Sequence, residues 1–113
     1  FPEGEAQALW LLSELRAADG KFEGAIEAAE ERLNIFGDLK DTKMEAKANL
    51  ALAHVHMLDR GYHNAEKAAK EAQSLAQQVD DLQTEMDAHL MLVQVYLGMY
   101  AKERSARASS LQA

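Results

Sequence analysis

The chain of 113 residues has no cysteine, one proline, one tryptophan and very few β-branched residues. Each shortage closes off an architecture or a chemistry. Without cysteine there is no disulfide framework, no thiolate metal site and no cysteine nucleophile. Four valines, two isoleucines and two threonines are too few to furnish a sheet, whereas 21 alanines and 15 leucines lead the helix scale. No stretch is apolar and long enough to cross a bilayer, and no charged-then-apolar leader opens the chain. The net charge is −7 with Lys and Arg scattered, so the clustered positive charge that nucleic acid requires is missing. Neither a membrane nor nucleic acid is expected as a partner. The expected location is cytoplasmic, on the missing cysteine, leader and spanning segment. The length suits one domain, residues 1–113, with a modest core, and the start at Phe1 suggests a larger parent protein.

What is present is a repeat. In rows of forty, Glu5, Glu45 and Glu85 share a column, as do Ala8, Ala48 and Ala88, then Leu12, Leu52 and Leu92, then Leu15, Val55 and Val95. Further along, Phe22 stands over Tyr62, Ala25 over Ala65, Ala28 over Ala68 and Ala29 over Ala69. Large and small residues kept in order across rows are the signature of stacked repeats. The units are about 1–40, 41–80 and a degenerate or capping 81–113.

Each row divides into two helices. Asp19-Gly20-Lys21 and Asp59-Arg60-Gly61 break the rows at their middles, where glycine supplies freedom for a tight turn. Gly37-Asp38 and Asp80-Asp81 mark the joints, with Asp38, Asp41 or Asp81 available as caps. Helices are predicted at about 3–18, 22–36, 42–59, 62–78 and 82–97, followed by a weaker element from Ala101 to Gln112. From Ala101 to Ser110 it lacks large apolar residues, and it reads either as a solvating end cap or as the opening of a further hairpin.

The first helices are apolar on two faces. Ala8, Leu12 and Leu15 form one stripe, with Trp10 and Ala17 nearly opposite, and rows two and three repeat the arrangement. The second helices are one-sided: Phe22, Ala25, Ala29 and Leu33 face inward and Glu23, Glu27, Glu30 and Glu31 face water. A layer of two-faced helices against a layer of one-faced helices is what an all-α helical-hairpin solenoid requires.

The residues Leu12-Ser13, Gly20, Phe22 and Ala25 in row one resemble the tetratricopeptide repeat, as do Leu52-Ala53, Tyr62 and Ala65 in row two, where Arg60 replaces the glycine. The forty-residue spacing is similar to the long repeats of kinesin light chains and of GoLoco-binding polarity adaptors. The joint Phe36-Gly37-Asp38 followed by Glu45-Ala46-Lys47-Ala48 resembles theirs. The resemblance implies a right-handed solenoid of about two and a half to three repeats. It also implies a concave groove, lined by the first helices, that receives a peptide or helix of a partner protein. Carried over position by position, the groove holds Gln7, Trp10, Glu14 and Ala17, then Lys47, Leu50, His54 and Met57, then Asp87, Leu90, Gln94 and Leu97, with Leu11, Ala51 and Met91 beside them. Trp10 is either the anchor of that groove or a packing residue at the end of the stack. The lysine, asparagine and arginine clamp for acidic chaperone tails has no counterpart here, since Trp10, Leu50 and Leu90 occupy its positions along with Glu14, His54 and Gln94.

Catalytic chemistry finds little support. His54 and His56 lie about 200° apart on a helix and cannot share an ion. The Glu23–Glu31 run is solvated, and there is no phosphate loop or nucleophile elbow. The expectation is a protein-interaction module that is not an enzyme, with no metal and no cofactor. Met86 and Met99 are expected in the core, Met57 and Met91 toward the groove. Row one carries nine acids against four bases, which points to a basic partner for its outer helix. The alternative function is a self-associating or structural segment, joined through the end helix with Leu9, Trp10 and Leu11.

Overall fold

Alanine recurring every three or four residues gives a helix a flat side against which a second backbone can settle, and this chain uses it throughout. The computed structural model describes residues 1–112; Ala113, the last residue of the third repeat, lies outside the described residues. Five helices follow in order: α1 Pro2–Ala18, α2 Phe22–Asp38, α3 Thr42–Leu58, α4 Tyr62–Gln78 and α5 Leu82–Gln112. Among the described residues there is no strand, and none of these helices is long and apolar enough to cross a membrane. The protein is an all-α helical-hairpin repeat. Each helix packs on the next, and α3 also touches α5. The body is 17 Å thick in its smallest dimension and 56 Å long, which is two helix layers deep.

The core is made of small residues with a few large ones wedged between them. Ala29, Leu52, Ala53, Ala68, Ala69 and Leu92 form one buried cluster across α2–α5, with Ile26, Leu33 and Met91 packed against it. Ala6, Phe36 and Ala48 join α1, α2 and α3. In α4, Ala65, Ala69, Ala72 and Ala76 have no exposed surface at all, so α3 and α5 close on it from two sides. The glutamates of α2 face water as the pattern predicts. Buried Ser13 donates from Oγ to the carbonyl of Ala25 at 2.8 Å, fixing α1 on α2.

The four three-residue connections share one geometry. The amide of the third residue donates to a carbonyl five residues back, as in Lys21 to Arg16 (2.8 Å), Asp41 to Phe36 (3.1 Å), Gly61 to His56 (2.8 Å) and Asp81 to Ala76 (2.9 Å). This closure satisfies helix-end carbonyls and requires a left-handed residue just before it. That residue is Gly20 (φ 77°) in the first connection, but Lys40 (55°), Arg60 (62°) and Asp80 (56°) in the others. The sequence reading of Gly61 as the turn residue is therefore corrected: Gly61 is the N-cap of α4 with φ −84°. Gly37 lies inside α2 rather than at a joint. Asp41 caps α3 by accepting from the Met44 amide at 3.2 Å. Asp81 accepts from both the amide and the hydroxyl of Thr84, and those bonds hold its carboxyl below the usual carboxylate range.

Two further expectations change. The break near residue 98 and the separate element from Ala101 do not form: α5 runs unbroken for 31 residues. A hairpin there would have only three alanines and a single large apolar residue, Leu111, to bury between 101 and 112, too little apolar surface to offset a turn, whereas continuing the helix keeps every backbone bond. Gly98 serves packing instead, because a Cβ at that position would collide with the Tyr62 ring, 2.9 Å from its Cζ. The second change concerns the stripe of row one. Leu52 and Leu92 are each 8% exposed, but Leu12 is 37% and Leu15 69% exposed. Rows two and three have α2 and α4 against this column, and no described helix lies against it in row one.

Candidate partner-binding face

The site is built from the helices that open each repeat. On α3, burial follows the wheel: Ala46, Ala48, Asn49, Leu52, Ala53 and Val55 are covered by α2, α4 and α5. What remains is an arc spaced three and four residues apart, Lys43, Lys47, Leu50, His54 and Leu58. Because α1 and α5 start forty residues before and after α3 in the same register, their matching arcs face the same way. Those arcs are Glu3, Gln7, Trp10 and Glu14 on α1, and Gln83, Asp87, Leu90 and Gln94 on α5.

Most of the predicted groove residues lie on these arcs. Gln7, Trp10, Glu14, Lys47, His54, Leu90, Gln94 and Leu97 are exposed, and Leu50 and Asp87 are half-buried. Trp10 keeps 37% of its surface open and belongs to none of the buried clusters. Three methionine assignments need correction. Met91 packs against the main core cluster, and Met57 is half-buried at the border of the arc rather than projecting from it. Met86, expected in the core, is 61% exposed, because no described helix covers that side of α5. Met99 is half-buried. Leu9 is half-buried too, which leaves Trp10 and Leu11 as the open apolar residues of that segment.

Leu58 was missed by sequence reasoning and is 48% exposed. Its signal was available, since it lies four residues beyond His54 and eight beyond Leu50, on the same stripe. The face thus has an apolar floor of Trp10, Leu50, Leu58 and Leu90. Lys43 and Lys47 cross its middle helix, and Glu3, Glu14 and Asp87 stand on the helices to either side.

The histidines occupy different settings. His54 is exposed on the face, while His56 is half-buried in a cleft of about 350 Å³ beside Glu30, Asn49, Asn64, Lys67 and Glu71. Burial pushes its imidazole below the ordinary value of 6.5, against the opposing pull of Glu30 and Asp59. Among the described residues no three His, Asp or Glu side chains converge as an ion would need. A second cleft, of about 580 Å³, opens where α5 passes the α3–α4 connection, between Arg60, Tyr62 and His63 on one side and Met99, Lys102 and Glu103 on the other. It was not foreseen, because it depends on α5 continuing straight. No family model matches the sequence, and no curated protein is similar enough to it to count as a relative.

Proposed function

We propose that the chain is a tetratricopeptide-like, non-catalytic interaction module that binds a peptide or helix of a partner protein across the face formed by α1, α3 and α5. The observation that carries this reading is the alignment of Trp10, Leu50 and Leu90. They are forty residues apart, on equivalent helices, and each is at least partly open to solvent. A soluble surface keeps large apolar residues in register across repeats at a cost, and docking a partner recovers it. A peptide held there would have apolar side chains against the floor and hydrogen-bonding groups within reach of Gln7, His54 and Gln94. A cytoplasmic setting is consistent with the cysteine-free sequence.

The test is selection of binding peptides from a displayed library, followed by titration of the best one against the parent chain and its Trp10→Ala and Leu50→Ala variants. An interface anchor of this kind contributes about 2 kcal/mol or more, a loss of roughly thirtyfold on truncation. Circular dichroism should remain helical in both variants. Equal affinity for all three proteins would remove the assignment of this face.

A further inference from the structure

A large uncovered apolar surface runs along α5 beside the partner-binding face and shares Leu90 and Leu97 with it. Met86, Leu90, Val93, Leu97 and Tyr100 follow one another at spacings of four, three, four and three, and each is between 54% and 63% exposed. That alternation is the seam of a helix that pairs with another helix. With Leu82 and Tyr96 at its flanks, the open apolar surface is on the order of 800 Å², the share one partner contributes to a standard stable interface.

The same helix has a second unusual feature. All of residues 101–111 are exposed, so the end of α5 projects without tertiary support, although a lone helix of that length is marginal in water. Arg104 and Arg107 continue the 4–3 spacing into this arm, and their present contacts, with Tyr100 and Glu103, are within the helix. The arm from 101 onward carries three bases against one acid, while residues 80–87 at the base of α5 carry four acids and no base.

We infer that the occupant of this seam is a second copy of the chain, paired α5 to α5 in antiparallel orientation. Antiparallel pairing sets the cationic arm of each copy beside the acidic base of the other, and the two arms support each other. Parallel pairing would stack arm on arm and acid on acid, with like charges opposed. Leu90 and Leu97 lie at the edge where this seam meets the partner-binding face, and the Trp10 and Leu50 side of that face stays clear of the paired helices.

Sedimentation equilibrium over a concentration series tests this, with the parent chain, Val93→Glu and Met86→Lys. The parent should show the mass of two chains at micromolar concentrations. Each variant should show the mass of one, with unchanged helical circular dichroism, because both side chains are largely exposed in the single chain. Raising salt should weaken the parent dimer. Since the chain has no other thiol, Gln83→Cys reports orientation: antiparallel copies keep the two thiols far apart and do not oxidise to a linked dimer. A parent chain that stays single, a dimer indifferent to both substitutions, or efficient Gln83→Cys cross-linking would each overturn the proposal. None of these results bears on the Trp10 and Leu50 titration, so the two readings fail separately.

Discussion

Arg60 stands where the repeat pattern has glycine, and the chain nevertheless folds the turn in the same way, with Arg60 at φ 62°. A left-handed residue with a Cβ costs about 1–2 kcal/mol. Glycine removes that cost but loses more backbone entropy on folding, a penalty of about 0.4–1 kcal/mol. Arg60→Gly should therefore stabilise the protein by roughly 0.5–1 kcal/mol. Lys40→Gly should do the same, and Asp80→Gly somewhat less, because aspartate tolerates this conformation better. The turns at 40 and 60 share no contact partners, so the effects should add to about 1–2 kcal/mol for the pair. For a domain of this size each kcal/mol moves the melting midpoint by about 4 °C. The reverse change, Gly20→Ala, should lose about 1 kcal/mol. Gly61 provides the control. Its backbone (φ −84°, ψ 67°) is close to that of the capping Asp41 (φ −88°, ψ 82°), so Gly61→Asp should gain about 1 kcal/mol, a few tenths by accepting from the Asn64 amide and the rest by restricting the unfolded chain. Urea denaturation with circular dichroism measures all of these on one scale. If Arg60→Gly is destabilising while Gly61→Asp also is, the left-handed residue has been placed wrongly and the turn geometry described above is incorrect.

Other expectations follow from single contacts. Gly98→Ala should be neutral or destabilising in the parent, because the gain of about 1 kcal/mol in helix propensity is opposed by the Tyr62 ring; with Tyr62→Ala in place it should become stabilising, which a double-mutant cycle in urea detects. Ala69→Leu should cost about 1–3 kcal/mol by overpacking a position with no exposed surface, whereas Ala101→Leu on the exposed arm should be near neutral by the same measurement. His56 predicts a pH effect. Its folded pKa lies below 6.5 while the unfolded chain titrates near that value, so the unfolded state binds more protons and stability falls as pH drops below 6.5. Replacing it by Gln should flatten the fall in stability on the acid side of 6.5, and an unchanged slope would contradict the burial argument.

The repeat was legible because stacking constrains which sizes fit each column. Ala65, Ala69, Leu52 and Val95 are in the core for reasons visible in the forty-residue rows. The starts of α2 through α5 follow from the same spacing. Column logic failed where the outcome depends on a neighbour. Leu12 and Leu15 match Leu52 and Val55 in type, yet they are open because no described helix lies against them as α2 and α4 lie against the later rows. Met86 occupies the column of buried Ala46 and is exposed for the corresponding reason on α5. Arg60 stands at the pattern's glycine position, but nothing in its own chemistry favours the left-handed conformation; the helix-end bonds on either side impose it. Gly98 resembled a turn glycine in sequence, and only the position of the Tyr62 ring shows that it admits a close approach. On the candidate face, Leu50, His54 and Leu90 follow from register, whereas Leu58, inside the predicted helix, is not marked by any column, since its counterparts forty residues away are Ala18 and Gly98.

The proposal that α1, α3 and α5 present one binding face can be tested through the single tryptophan. Trp10 lies on that face and is partly exposed, so its emission reports occupancy without any label. Titration with a library-selected peptide should shift Trp10 emission to shorter wavelength, saturably, and Leu50→Asp, forty residues away on the next repeat, should abolish the shift. A peptide that binds tightly while Trp10 emission stays unchanged and Leu50→Asp has no effect would place the interaction elsewhere on the molecule.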